Sequence, residues 1–508
     1  MNSNGVGTAS AGFALGLAIA FLVSPVRVGA QTFARITVEW NKVLRVSQTT
    51  PTLQVVVNPL LERGSPIHGR VFIALKNLRC NDVRYVPWLP YPRLAVAELQ
   101  PPSDGKTFWN FSLIDPMTLD FLHATLGHSV ILNFSTIPEW MFKTAAPVRY
   151  PADPNQVDWN DEQGTEFRDP TLEQVANYYA RLASWYTQGG FTDEAGRRHE
   201  SGYHFKIAYW EVLNEVDFEH HMMPETYTRV YDAVTRAIHH VDPRIKFVGL
   251  ALGSPSTEPK FFNYFLNPRN HRPGAPLDMI SYHFYASPTP SQKPSTWPCT
   301  FFDQADGFLN TVRYIEAIRR RLSPRTATDI DELGCILPYD TAAHLARPIP
   351  NAYWNLCAAL YAYLFARLAR WGIQVVGESQ LVGYPSQFPS VSMVNWKTGQ
   401  PNARYWVLKL LRDNLHPGDR LVETRGSSSA LYAQAFITKR GRRKVLLINK
   451  RNRPAEILLT GAAGGEQAYV NQQTAFNPPG MARLVRNSVT MGGFEVAVIT
   501  LHYRILRN

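Results

Sequence analysis

Cysteine is scarce in this chain: four residues in 508, at positions 80, 299, 335 and 357, with no Cys-x-x-Cys among them. That spacing carries no signal for a zinc site or a dithiol redox motif. An oxidising compartment would permit one or two disulfides among three connectivities, and buried free thiols are the alternative. Charge is thin as well, at 18% of residues, and the basic residues are scattered apart from short patches at Arg319-Arg320-Arg321 and Lys439 to Lys444. Without an arginine-rich arm or an RNP-like aromatic motif, nucleic acid is not an expected partner. No apolar run after residue 30 is long enough to span a bilayer. The stretch from about Ala11 to Val23 has no Lys or Arg before it and is followed by Val28-Gly29-Ala30, a small-x-small pattern. It reads as a signal peptide over residues 1–30, which makes the chain secreted or extracytoplasmic, with a retained anchor as the alternative.

What is abundant is core material. Apolar residues make up 45% and aromatics 12%, including 12 Trp and 23 Tyr. At 508 residues this suits one large domain and a smaller companion. The net charge of +11 draws anionic polymers or surfaces without identifying one.

From about Leu53 short apolar runs alternate with longer amphipathic stretches, the pattern of repeated βα units. Eight strands are expected, at Leu53–Val57, Val83–Pro87, Ser129–Phe134, Ile207–Leu213, Ile245–Leu252, Met279–Phe284, Ala327–Asp331 and Ile373–Gly377. Helical periodicity covers Glu173–Tyr186, Glu225–His240 opening at Pro224, Asp303–Leu322 and Tyr353–Trp371. Eight such units predict an α/β fold, a (β/α)8 barrel over residues 31–415. Past Asp419 short alternating strands (Ala430–Ile437, Lys444–Asn449, Ala455–Leu459, Glu495–Tyr503) predict a β-sandwich over 416–508, to which Arg35–Val46 could add a strand.

In such a barrel the loops after the strands converge on one mouth, so acids at strand ends carry most weight. Trp210-Glu211-Val212-Leu213-Asn214-Glu215 closes the fourth strand and Asp329-Ile330-Asp331-Glu332 the seventh. The intervening stretch amounts to about three βα units, which places Glu215 and Glu332 across the mouth from each other. Two carboxyls flanking an anomeric carbon are what glycoside hydrolysis requires. Glu211 and Asp331 read as supporting residues, and Glu378 after strand eight as a rival carboxylate. His220-His221 lacks a third ligand at a diagnostic spacing, so no metal and no cofactor are expected. Trp88, Tyr91, Trp140 and Trp396 fall where they could line a sugar cleft, two of the four being the expectation. Asn110 and Asn133 open Asn-x-Ser sequons, and Asn133 lies too close to a barrel strand to suit glycosylation.

The Asn214-Glu215 pair and Glu332 resemble the clan of retaining glycosidases that contains glycoside hydrolase family 39, with its β-xylosidases and α-L-iduronidases. Arg84, the run Trp109 to Asp115, and Ser281-Tyr282-His283-Phe284-Tyr285 fall in that family's order, and the likeness spans Leu53 to about Leu411. It implies Glu215 as acid/base and Glu332 as nucleophile. It also implies Asn214 as donor to the hydroxyl beside the anomeric carbon, and His283 and Tyr285 as sugar contacts, with Arg84 beside them; Trp88 and Trp140 join the expected binding site from their places near strand ends alone. The family usually has Trp-Asn-Glu-Pro where this chain has Leu213-Asn214-Glu215-Val216, and often a His where Val86 stands, which bears on the sugar more than on the reaction. The resemblance implies a carbohydrate substrate, xylosidase-like or uronide-directed. A catalytically idle sugar-binding protein and a transglycosylase are the alternatives.

Overall fold

The computed structural model describes residues 33–146, 149–158, 164–338, 340, 349–383 and 388–502. The signal-peptide reading of residues 1–30 lies outside them, as does Tyr503. Eight parallel strands close into a barrel in the order β2 (Thr50–Val56), β3 (Val83–Val86), β4 (Val130–Leu132), β7 (Tyr209–Glu211), β8 (Lys246–Leu252), β9 (Met279–Ala286), β10 (Ala327–Cys335) and β11 (Val375–Glu378). A small hairpin, β5 (Gly190–Thr192) with β6 (Arg198–Glu200), stands between β4 and β7. The expected barrel is thus present, with Glu215 following the fourth barrel strand and Glu332 on the seventh.

The helices follow from their apolar faces. They are α1 (His68–Leu78), α2 (Asp115–Ala124), α3 (Glu173–Thr187), α4 (Pro224–Val241), α5 (Pro259–Phe265), α6 (Trp297–Leu322), α7 (Asn351–Trp371) and α8 (Ala403–Asn414). Helix α6 starts six residues before the expected Asp303. Pro298 falls in its first turn, where a missing N–H costs nothing, so the proline marks the helix start. In α7, 16 of 21 side chains are buried, because the barrel lies on one side and the β-sheet domain on the other. Gly372 ends α7 in the left-handed conformation (φ 81°), donating to the carbonyls of Leu368 and Ala369.

The remaining strands form a curled nine-stranded sheet in the order β17-β16-β19-β14-β13-β12-β1-β15-β18. Its members are β1 (Ala34–Val46), β12 (Arg420–Gly426), β13 (Leu431–Ile437), β14 (Arg443–Asn449), β15 (Ala455–Leu459), β16 (Glu466–Val470), β17 (Gly480–Arg483), β18 (Ser488–Met491) and β19 (Val496–Leu501). Ile36, Val422, Ala435, Val445, Ile457, Val489 and Ile499 fill its inside. Phe436, Leu446, Ile448, Val496 and Val498 face outward into the barrel's own core cluster. β1 pairs antiparallel with β12, so the sandwich takes strands from both sides of the barrel sequence.

Two irregularities position the mouth. β10 continues to Cys335, four residues past its expected end, and slips register against both neighbours, between Asp329 and Glu332 against β9 and between Ile330 and Leu333 against β11. A bulge of this kind re-aims side chains, here turning Glu332 to the mouth from mid-strand. Gly377 makes it possible, since a Cβ there would lie 2.7 Å from the Asp331 carbonyl. β8 slips between Gly249 and Leu252, with Leu250 and Ala251 at positive φ. Cys335 and Cys357 form a disulfide tying β10 to α7, while Cys80 (buried) and Cys299 (exposed) are free thiols.

Candidate active site

After Glu211 the chain leaves the sheet through two residues at positive φ, Leu213 (63°) and Glu215 (37°). Such conformations cost on the order of 1–3 kcal/mol at a non-glycine residue and persist only where the surroundings impose them. Here the Glu215 N–H donates to the Ala251 carbonyl of the β8 bulge (2.9 Å), while Leu213 is fully buried. The result lifts Glu215 to the mouth, with its side chain 23% exposed, opposite Glu332 at 10%.

Beneath them lies a buried charge layer centred on Arg84 of β3, which is 1% exposed. Its guanidinium donates to Glu211 Oε2 (2.5 Å), Gln54 Oε1 (2.8 Å), Glu332 Oε1 (2.6 Å) and Asn214 Oδ1 (2.6 Å), and pairs with Asp331 Oδ2 (3.0 Å). Glu211 also accepts from Asn133 Nδ2 (2.7 Å) and Ser281 Oγ (2.5 Å). A buried charge is tolerated only when so paired. Arg84 is therefore scaffold and not the expected sugar contact.

His283 corrects another expectation. It is buried beneath the carboxyls, with Nδ1 2.8 Å from Glu215 Oε1 and 3.6 Å from Glu332 Oε2, and Nε2 3.5 Å from Asp331 Oδ1. Burial opposes its charge, but Glu332, Asp331 and Glu215 outweigh that and push its pKa up to about 9, which favours the imidazolium at neutral pH. Tyr285 does reach the mouth. Its hydroxyl donates to Glu332 Oε2 (2.7 Å) and lies 2.5 Å from Ser379 Oγ, which accepts from Gln54 Nε2 (2.6 Å).

The two carboxyls are driven apart in acidity. Burial would raise Glu332, but the positive charges of His283 and Arg84, with hydrogen bonds from Tyr285 and Arg84, hold it below the usual range. Burial raises Glu215, its bond to His283 only partly offsets this, and the charges of Glu332 and Asp217 raise it further. Atoms of Glu215, His283 and Glu332 that could ligate a cation lie within 4.8 Å of one another. Arg84 and the His283 imidazolium already supply positive charge there, which fits a proton-bearing pair better than a cation site.

A cavity of about 180 Å³ opens over this pair, lined by Gln54, Trp88, Asn214, Glu215, Tyr285 and Glu332, with Ser379, Gln380 and an apolar wall of Val56, Val86, Ile336, Phe388 and Val391. Of the four aromatics expected near a cleft, Trp88 lines it. Tyr91 is fully buried in the core. Trp140 packs on the barrel core, donates to the Glu98 carbonyl (2.9 Å) and does not line the cavity; Trp396 packs on the same core. Glu378, the rival carboxylate, is buried against Arg404 (2.8 Å), and burial pushes its pKa up to about 7. Among the described residues the cavity wall contains no Lys or Arg.

Glu219 escaped sequence reasoning. Its Oε1 accepts from both Trp88 Nε1 (2.6 Å) and Asn214 Nδ2 (2.7 Å), fixing the indole and the amide at the cavity wall. Burial, then the nearby Glu215 charge, raises its pKa well above the usual range, which favours the neutral acid. Its signal was its place four residues after Glu215, one turn on, which only the tight turn of Glu215–Glu219 makes meaningful.

No family model matches the chain, and no curated protein matches it. Solved structures do. A GH51 arabinofuranosidase from Xanthomonas axonopodis pv. citri superposes with a TM-score of 0.62 at 13% identity, covering 92% of this chain and 100% of that one. An α-L-arabinofuranosidase from Thermotoga maritima in complex with arabinose gives the same figures. A GH30 endoxylanase from Clostridium papyrosolvens has a TM-score of 0.57 at 12% identity, with 92% and 100% coverage. The chain thus has the fold of these glycoside hydrolases, a (β/α)8 barrel carrying a β-sandwich.

Proposed function

We propose that this chain is a retaining glycoside hydrolase, with Glu332 as nucleophile and Glu215 as acid/base. The observation that carries the reading is the carboxyl pair: one oxygen of each lies within 4.8 Å of the other, with acidities pushed in opposite directions. Retention uses carboxyls about 5–5.5 Å apart, whereas inversion needs about 6.5–9.5 Å to seat a water between them. Ionised Glu332, oriented by Arg84 and Tyr285, attacks the anomeric carbon as the bond to the leaving oxygen breaks. The Glu215 proton passes to that oxygen. Esterification removes the Glu332 charge, which lowers the Glu215 pKa and makes it a base. Glu215 then takes a proton from water, whose hydroxide displaces Glu332 from the sugar.

The substrate is an oligosaccharide or polysaccharide. Of the glycones that the family 39 resemblance leaves open, a neutral xylose-like pentose is favoured over a uronide. A uronate carboxylate would face Glu332 with no cation among the described wall residues to offset it, and Val86 removes a polar partner. Arabinofuranosidases and an endoxylanase among the structural neighbours accord with a pentose, and a glucosidase among them keeps a neutral hexose as the second choice. Export rests on residues 1–30 alone and is tested by sequencing the secreted protein, expected to begin at Gln31.

The test is turnover of aryl xyloside, arabinofuranoside, glucoside and glucuronide by wild type, Glu332→Gln and Glu215→Ala. One neutral glycoside is expected to turn over. Glu332→Gln should lose roughly a thousandfold or more, and Glu215→Ala about a hundredfold or more, recovered in part by azide. Binding without turnover would favour a sugar-binding protein, and transfer to added sugar acceptors a transglycosylase.

A further inference from the structure

The turn that follows Glu215 is unusually well fixed. Phe218 and Glu219 N–H groups both donate to the Glu215 carbonyl (2.7 Å each), and Met222 N–H donates to the Val216 carbonyl (3.0 Å). The Asp217 carboxylate accepts from the N–H groups of Gly253 (3.0 Å) and Ser254 (2.8 Å), bolting the turn to the exit of β8. At its tip this turn presents a benzyl ring to solvent: Phe218 is 52% exposed. The ring stands beside the Glu215 carboxyl. The point that a Cβ would take on Gly253 lies 2.6 Å from Phe218 Cδ2 and 2.8 Å from Glu215 Oε1, so the bare glycine lets ring and carboxyl occupy neighbouring space. Phe218 does not line the cavity that holds Glu332, and half exposed beside the Glu215 carboxyl it faces solvent instead.

We propose that Phe218 is the platform for the leaving group, which carries a flat face of C–H or aromatic carbon, such as a second sugar ring or an aryl group. The inference rests on the glycosidase reading: an acid protonates the leaving oxygen, so whatever extends outward past Glu215 is the departing part of the substrate. A solvated ring on a rigid turn gains by stacking and pays little ordering entropy, since its position is set before the substrate arrives. The only other large exposed apolar side chain of this loop among the described residues is Met223, at its end.

The test compares two substrates sharing the glycone that wild type accepts, a p-nitrophenyl glycoside and the corresponding glycosyl fluoride, whose leaving group is too small to reach the ring. The readout is kcat/KM, which reports the bond-breaking half of the reaction. Phe218→Ala is expected to lose about tenfold more on the aryl glycoside than on the fluoride, chiefly through KM, and Phe218→Trp to restore the aryl substrate. Equal losses on both would mean that the ring merely supports Glu215, and no loss on either that it touches nothing; both overturn the inference. Wild-type inertness toward every aryl glycoside of the panel above would instead sink the glycosidase reading itself, and this inference with it.

Discussion

At the scale of single residues the site is a set of carboxyls whose neighbours decide which hold protons. Because Glu332 is held below and Glu215 above the usual range, kcat/KM should follow a bell in pH, falling in acid as Glu332 gains a proton and in base as Glu215 loses one. His283 touches both, and its charge lowers both. Replacing it by Gln removes that charge, so both limbs should move to higher pH; limbs that stay put would show that the imidazole is neutral. Glu219 is argued the same way. As a neutral acid accepting two hydrogen bonds it is imitated by an amide, so Glu219→Gln should keep most activity and Glu219→Ala lose about tenfold or more as Trp88 and Asn214 swing free. Equal activity of the two variants would remove Glu219 from the machinery. That Glu215, Glu332, Asn214, Tyr285 and Trp88 would meet around one cavity was legible because they stand in short motifs at or near strand ends. The places of Arg84 and His283 were not, since a charged side chain near a strand end reads as a ligand contact until three-dimensional pairing reveals that its hydrogen bonds are already spent.

At the scale of elements, periodicity located all eight barrel strands, because their apolar runs are buried on both faces, and it missed β12, β16, β17 and β18, whose half-exposed, short sequences resemble turns. Bulges were equally invisible: nothing in Ala327 to Cys335 announces that the strand slips register at Glu332, since the slip depends on Gly377 of the neighbouring strand. That bulged strand is pinned three residues further on by the Cys335–Cys357 bond. The bond closes a separation of 22 residues, for which loss of unfolded-state entropy predicts about 3 kcal/mol. A Cys335→Ala, Cys357→Ala double variant should therefore unfold at lower urea concentration than wild type, by roughly that free energy. If reduction of wild type leaves its midpoint unchanged, the bond does not stabilise the fold.

At the scale of the whole molecule the barrel and the sandwich share one fate. The chain enters the barrel from β1 and leaves it into β12, and these two strands are zipped together with Ser47 and the Gly418-Asp419 segment exchanging backbone hydrogen bonds (2.7 Å each) where entry meets exit. The outer face of the sheet then covers α7 and α8. Tyr432 meets Tyr363 edge-on at 5.1 Å, Trp406 Nε1 donates to the Phe476 carbonyl (3.0 Å), and Lys444 Nζ donates to Asn414 Oδ1 (2.7 Å). Phe436, Leu446 and Val498 belong to the same apolar cluster as the barrel interior. Removing the sheet would bare α7, a helix apolar nearly all round, and an exposed patch of that kind leads to aggregation. Deletion of residues 416–508 should therefore yield insoluble protein, and the full chain should melt in a single calorimetric transition with activity lost in step. Two separate transitions, with turnover surviving the first, would mean that the barrel stands alone and that the sandwich is an appendage.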